Sequence, residues 1–288
     1  MIGVFDSGFG GLTVLSALLR ELPAYDYLYL ADSARAPYGA RSAEVVNDFT
    51  REAVEWLFEQ GCPLVVLACN TASARALRNL QQLHLPRHRP DRRLLGVVRP
   101  SVEALAGLPV GTIAIPGETA PSLAEGLVAV LGTEATIDSD SYGIELRKLA
   151  PRLRLVQQAC PLWVPLVEAG ELEGPGTEYF LRQYIEAMRA RAGGLWPRRL
   201  LLGCTHYPLL LPALRPLAPA SVEILDQGQI VAPRLADWLR RHPEQEQKLS
   251  RRATRRFATT DDPAWFKRRG EKLLGAPIEA ERVRLRPA

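Results

Sequence analysis

LVVLACNTASA, residues Leu64 to Ala74, runs a short apolar segment into the polar triplet Cys69-Asn70-Thr71 and then into small helix-forming residues. An apolar run of this length, bounded by a turn, reads as a buried parallel strand followed by a tight turn and the start of a helix. The thiol of Cys69 then stands at the carboxyl end of a strand, where open α/β sheets bind their ligands. LLLGCTHYPLL, residues Leu200 to Leu210, repeats the pattern with Cys204-Thr205-His206 in the corresponding place. Two thiols at two strand-to-helix turns predict a pseudo-symmetric pair.

The chain as a whole limits what such a pair can do. Its 288 residues suit one large or two medium domains, and 47% apolar with 24% charged residues is the balance of a globular protein. No apolar run approaches the ~20 residues of a membrane-spanning helix. The first residues carry neither a basic region nor a long apolar segment, so a cytoplasmic location with reduced thiols is expected. Cys62, Cys69, Cys160 and Cys204 show no CxxC spacing, which argues against a structural metal.

The net charge of +4 is spread along the chain. Its densest basic cluster, His84 to Arg93, is punctuated by proline and lacks aromatic residues, so a solvated loop is expected rather than a nucleic-acid interface. The only lysines are Lys148, Lys248, Lys267 and Lys272, none of them at a strand-end turn, which disfavours a pyridoxal Schiff base.

Read in order, the chain alternates strands and helices. Strand Ile2 to Phe5 ends in Asp6-Ser7-Gly8-Phe9-Gly10-Gly11 and enters a helix over Leu12 to Leu22; the glycines allow a tight turn and a ligand's approach to backbone N–H groups. Strand Tyr25 to Ala31 leads into the loop Asp32 to Gly39. An amphipathic helix carrying Val46, Phe49, Ala53 and Leu57 stops at Gly61. After the Cys69 unit, strand Leu94 to Val98 ends at Arg99-Pro100. A second alternation follows: strand Thr112 to Ile115, helix Ser122 to Leu131, strand Leu153 to Ala159, a helix through Val167, helix Thr177 to Arg191 and strand Arg199 to Leu202. Strand Val222 to Leu225, helix Gln229 to Leu239, strand Arg255 to Thr259 and helix Pro263 to Leu274 complete the chain. Such repetition predicts an α/β protein of two pseudo-symmetric, doubly wound lobes with mostly parallel sheets and an active site in the cleft between them. Residues 1–96 with 208–288 are expected to form the first lobe and residues 97–207 the second.

Two matched thiols suit a reaction in which one group takes a proton from carbon and the other returns a proton to the opposite face, exchanging roles with direction. A free thiol is a weak base, but a helix N-terminus or an imidazolium lowers its pKa, and both cysteines are expected to start helices. Cys62 and Cys160, each followed by proline and without a polar triplet, read as small core residues. A cysteine hydrolase built on Cys204 and His206 is an alternative, though one nucleophile and one base leave Cys69 without a role. A non-catalytic binding protein explains neither thiol.

FDSGFGGLTVL, ADSARAPYG, LACNTASA, ACPLWVPLVEAG and LLGCTHYPLL, in this order from Gly3 to about Leu210, resemble the motifs of glutamate racemases in the aspartate/glutamate racemase superfamily. The resemblance implies a cofactor-independent racemase that interconverts L- and D-glutamate and supplies D-glutamate for peptidoglycan, with glutamate as its small-molecule partner and a homodimer as its assembly. It further implies that Cys69 takes the proton from the D-isomer and Cys204 from the L-isomer, that Asp6 assists Cys69, and that His206 and Glu168 support Cys204. Asp6, Ser7, Tyr38, Gly39, Asn70, Thr71, Thr205 and His206 match substrate-binding positions. Action on aspartate or a hydantoin is the nearest alternative within the superfamily. The chain departs from the family where a Thr/Ser-rich turn is expected, read here as Ile115 to Ser122 with Pro116 in place of a threonine, and again at Arg99 and at Asp226-Gln227.

Overall fold

The computed structural model describes residues 1–112 and 126–286. In chain order its main elements are β1 (Ile2–Asp6), α1 (Leu12–Glu21), β2 (Tyr27–Ala31), α2 (Ala43–Glu59), β3 (Leu64–Leu67), α3 (Asn70–Arg75), β4 (Arg93–Gly96), α4 (Val98–Leu105) and β5 (Gly126–Gly132). These are followed by α5 (Glu134–Asp138), α6 (Ser141–Leu149), β6 (Leu153–Ala159), α7 (Trp163–Ala169), α8 (Pro175–Arg191), β7 (Arg199–Gly203) and β8 (Glu223–Leu225). The last are α9 (Gln227–Arg241), β9 (Arg255–Thr259), α10 (Pro263–Leu274) and β10 (Ala280–Arg282).

Two parallel sheets result, one ordered β10-β9-β2-β1-β3-β4 and the other β6-β5-β7-β8. Their central strands are apolar on both faces because helices cover both, and every residue of β1, β2 and β3 is buried. Core residues of the first sheet such as Val4 and Tyr29 belong to one hydrophobic cluster with Leu202 of the second sheet and with Trp163 and Tyr207, which pack beside it, so the two lobes share a core. No helix among the described residues is long and apolar enough to cross a membrane.

Several segments differ from the sequence expectations. Gly126–Gly132 is a strand, not the end of a helix, because the uninterrupted apolar run Leu127 to Leu131 is the buried centre of the second sheet. The expected strand at Thr112 to Ile115 and the turn through Pro116 lie, beyond Thr112, outside the described residues. Arg99 and Pro100 stand in the first turn of α4, where a proline's missing N–H costs nothing. β8 pairs in parallel with β7, so the second sheet continues past the boundary expected at residue 207. Leu85–His88, expected as loop, is helical, and Arg89 is tied to Glu55 at 2.8 Å.

Candidate active site

All the strands of each sheet point the same way, so their carboxyl ends collect at one edge. Phe5 of β1 lies in register with Leu67 of β3, which places Asp6-Ser7 beside Cys69. In the other sheet Gly132 of β5 is in register with Gly203 of β7, which places Thr133 beside Cys204. The two edges meet. Thr205 donates to Asp6 Oδ1 at 3.3 Å, and the hydroxyls of Thr71 and Thr133 lie 3.0 Å apart.

Cys69 caps α3 with its sulfur, which accepts from the Ala72 N–H at 3.5 Å, and Ser7 Oγ lies 3.5 Å from the same sulfur. A helix N-terminus and a hydroxyl both favour a thiolate. Burial outweighs them: the thiol is pushed up to about 12, first by loss of water and then by the charge of Asp6, with a smaller contribution from Cys204. These surroundings favour the protonated thiol of Cys69.

Cys204 has different surroundings. The chain beyond it forms a turn and a short 3-10 segment at Tyr207–Leu210, so no α-helix begins at this sulfur, contrary to the sequence expectation. Its partner is His206, whose Nδ1 is 3.9 Å from the sulfur. Burial lowers the affinity of His206 for a proton, but Cys204, Glu168 and Asp6 together outweigh it and raise its pKa to about 10. An imidazolium at this distance is the partner that a thiolate needs.

Glu168, at the end of α7, approaches His206 Nε2 to 3.4 Å. That nitrogen has no aligned hydrogen-bond acceptor, so the contact is electrostatic rather than a directed bond. Phe9 packs its ring edge-on to His206 at 5.1 Å between centroids.

Asp6 joins the two halves. Its carboxylate accepts from Gly8 N at 3.0 Å as well as from Thr205, and burial raises its pKa against the opposing pull of His206 and these donors. Among the glycines after it, Gly10 packs closely within the site, where a Cβ would stand 2.6 Å from His206 Nδ1 and 2.7 Å from Thr205 Oγ1.

The remaining expected residues divide. Thr71 faces the site edge in a cluster with Thr133 and Thr136, the latter two bonded at 3.0 Å. Gly39 approaches Thr133 so closely that a Cβ would lie 2.8 Å from the threonine Cβ. The Tyr38 hydroxyl is committed to Asp32, leaving only its backbone for a ligand. Asn70 is bound into a buried network: its amide lies head to tail with that of Gln227, and its Oδ1 also accepts from Tyr142 at 2.6 Å.

Thr133, Thr136, Tyr142 and Gln227 were not anticipated. GTEATIDSDSY, Gly132 to Tyr142, is a Thr/Ser-rich turn at the end of an apolar run, and that run followed by hydroxyl residues is the signal that marks it. A cavity of about 880 Å³ borders α3 at Ser73, Ala74 and Arg75, and neither cysteine lines it. Among the described residues no group of three or more His, Cys, Asp or Glu side chains could hold a metal ion. What the edge offers is two buried sulfurs, one capping a helix beside a serine hydroxyl and one beside an imidazole, among hydroxyl and backbone donors.

The family model described as Asp/Glu/Hydantoin racemase matches residues 2–235. A glutamate racemase of Dinoroseobacter shibae is 40% identical over 282 residues, 98% of each chain. Among solved structures, glutamate racemase isoform RacE1 of Bacillus anthracis superposes with a TM-score of 0.82 at 31% identity, covering 99% of this chain and 97% of that one. The glutamate racemase of Francisella tularensis in complex with D-glutamate superposes with a TM-score of 0.81 at 28% identity, covering 98% and 97%.

Proposed function

The chain belongs to the Asp/Glu/Hydantoin racemase family, whose members are isomerases, and from that premise we propose that it interconverts L- and D-glutamate without a cofactor by proton transfer between two thiols. The observation that carries this reading is the meeting of Cys69 and Cys204 at the carboxyl edges of separate sheets, each with its own polar partner. One sulfur stands on each side of the substrate's α-carbon. Cys204, paired with His206, takes the proton from L-glutamate, and Cys69 delivers one to the opposite face; in the other direction Cys69 takes the proton from D-glutamate.

A thiolate must exist on one side at a time, and the neighbours of each sulfur supply it. Asp6 accepts the charge balance of Cys69, since a buried carboxyl with raised pKa is suited to receiving a proton. His206, steadied by Glu168, does so for Cys204. Ser7, Thr71 and Thr205, the backbone of Tyr38-Gly39, and Thr133 with Thr136 hold the substrate's carboxylates and amine, while the Asn70 side chain, expected among them, is taken up by Gln227 and Tyr142. Glutamate rather than aspartate or a hydantoin is favoured by the names of the full-length relatives. The D-glutamate formed serves peptidoglycan synthesis in the cytoplasm, and the enzyme works as a homodimer.

Purified, metal-free protein incubated with L-glutamate in D₂O tests the reading. Optical rotation decays to zero while the α-proton signal disappears at a matching rate, without added pyridoxal phosphate. Activity abolished by a chelator and restored by zinc would contradict it.

A further inference from the structure

We propose that Gln227 is a positioning residue for the Cys69 thiol, acting through Asn70; the proposal rests on the two-thiol reading above. Asn70 is the first residue of α3 and directly follows Cys69, so whatever fixes its side chain also fixes the backbone that aims the sulfur. Gln227 is the first residue of α9, reached from β8 of the second sheet. Its Nε2 donates to Asn70 Oδ1 at 2.9 Å, while its Oε1 accepts from Asn70 Nδ2. The same Nε2 reaches Ser101 Oγ on α4 at 2.9 Å and the Tyr142 hydroxyl on α6 at 3.1 Å.

Gln227, Asn70, Ser101 and Tyr142 are all buried, with exposures of 1%, 2%, 0% and 0%. Water cannot replace a lost partner at such depth without reorganisation, which makes this network stiff. Side chains of α9, α4 and α6 therefore form one network with the residue next to Cys69, Gln227 and Tyr142 bonding Asn70 and Ser101 bonding Gln227. On the Cys204 side His206, Glu168 and Phe9 do the corresponding work, and Gln227 makes no bond to any of them. Loss of Gln227 thus weighs more on the proton transfer at Cys69 than on that at Cys204.

That asymmetry is measurable. With Gln227→Ala, kcat/KM for both enantiomers falls together by about tenfold or more, as misplacement of a reacting group does. The primary deuterium isotope effect from C2-deuterated D-glutamate rises relative to that from C2-deuterated L-glutamate, because abstraction by Cys69 becomes the slower step. Tyr142→Phe, which removes one bond of the network, shifts the same ratio in the same sense by less, and serves if Gln227→Ala does not fold. A ratio unchanged or lowered in variants with a cooperative thermal transition overturns the proposal. Wild-type protein that exchanges no α-proton overturns the two-thiol reading itself.

Discussion

Thr71 Oγ1 and Thr133 Oγ1 lie 3.0 Å apart, although Thr71 follows a strand of the six-stranded sheet and Thr133 a strand of the four-stranded sheet. Thr136 completes the cluster, 3.3 Å from Thr71. The hydroxyls are buried and share their protons among themselves, so a bound carboxylate can take a donor from the cluster without drawing in water.

Thr133→Val keeps the shape of this side chain and removes its hydroxyl. It also removes the cap of α5, where Thr133 accepts from the Thr136 N–H at 3.3 Å. A site built to hydrogen-bond a substrate loses affinity when a donor is missing, and the lost cap costs about 1 kcal/mol of stability. Steady-state kinetics on both enantiomers should show KM rising about tenfold, the value of a hydrogen bond to a charged group. An unchanged KM for both would exclude Thr133 from substrate binding.

Tyr38→Phe separates the two ways in which this residue could serve a substrate. The hydroxyl is engaged by Asp32, which also accepts from Arg35 at 2.7 Å and Thr260 at 2.8 Å, and the ring packs between Phe5 and Phe49. Removing the hydroxyl should lower stability by about 1–3 kcal/mol, the cost of one lost buried bond, and change kcat/KM by less than about threefold. Denaturant melts and kinetics on the same preparation check both. A large loss of activity with unaltered stability would place the hydroxyl on the substrate instead.

The buried thiols tie stability to pH in a definite direction. A thiol titrates near ~8.5 when unfolded, and Cys69 is raised to about 12 by burial and Asp6. A folded pKa above the unfolded one gives stability that is fully present below pH ~8.5 and is lost as pH rises toward the folded value, because the unfolded chain releases the proton first. His206, raised to about 10, acts in the same sense from pH ~6.5 upward. Melting temperatures between pH 8 and 10.5 should fall more steeply for the wild type than for Cys69→Ala. Parallel curves would mean that Cys69 is not held as a thiol.

Much of this was legible in the sequence because the signals are local. A four-residue apolar run ending in Cys-Asn-Thr, and its counterpart ending in Cys-Thr-His, fix both strands and the edge they share. Asp6 and Ser7 follow from the same grammar. Gly126 to Leu131, expected as the end of a helix, is a strand: an apolar run of this length fits a buried helix as well as a central strand, and only pairing with β6 and β7 decides between them. Gln227 could not be found that way: its bonds to Asn70, Ser101 and Tyr142 link residues far apart in the chain, and nothing in DQGQ announces them.

The most direct measurement uses glutamate analogues carrying a β leaving group with the variants Cys69→Ser and Cys204→Ser. An alcohol is far too weak an acid and base to stand in for a tuned thiol, so racemisation of glutamate should fall by about 10²–10⁴-fold or more in each. Elimination needs only the abstraction step, which the remaining thiol still performs. The Cys69 variant should eliminate from the L-analogue alone and the Cys204 variant from the D-analogue alone. Elimination of the same single enantiomer by both variants, or wild-type racemisation by either, would contradict two thiols working on opposite faces of one carbon.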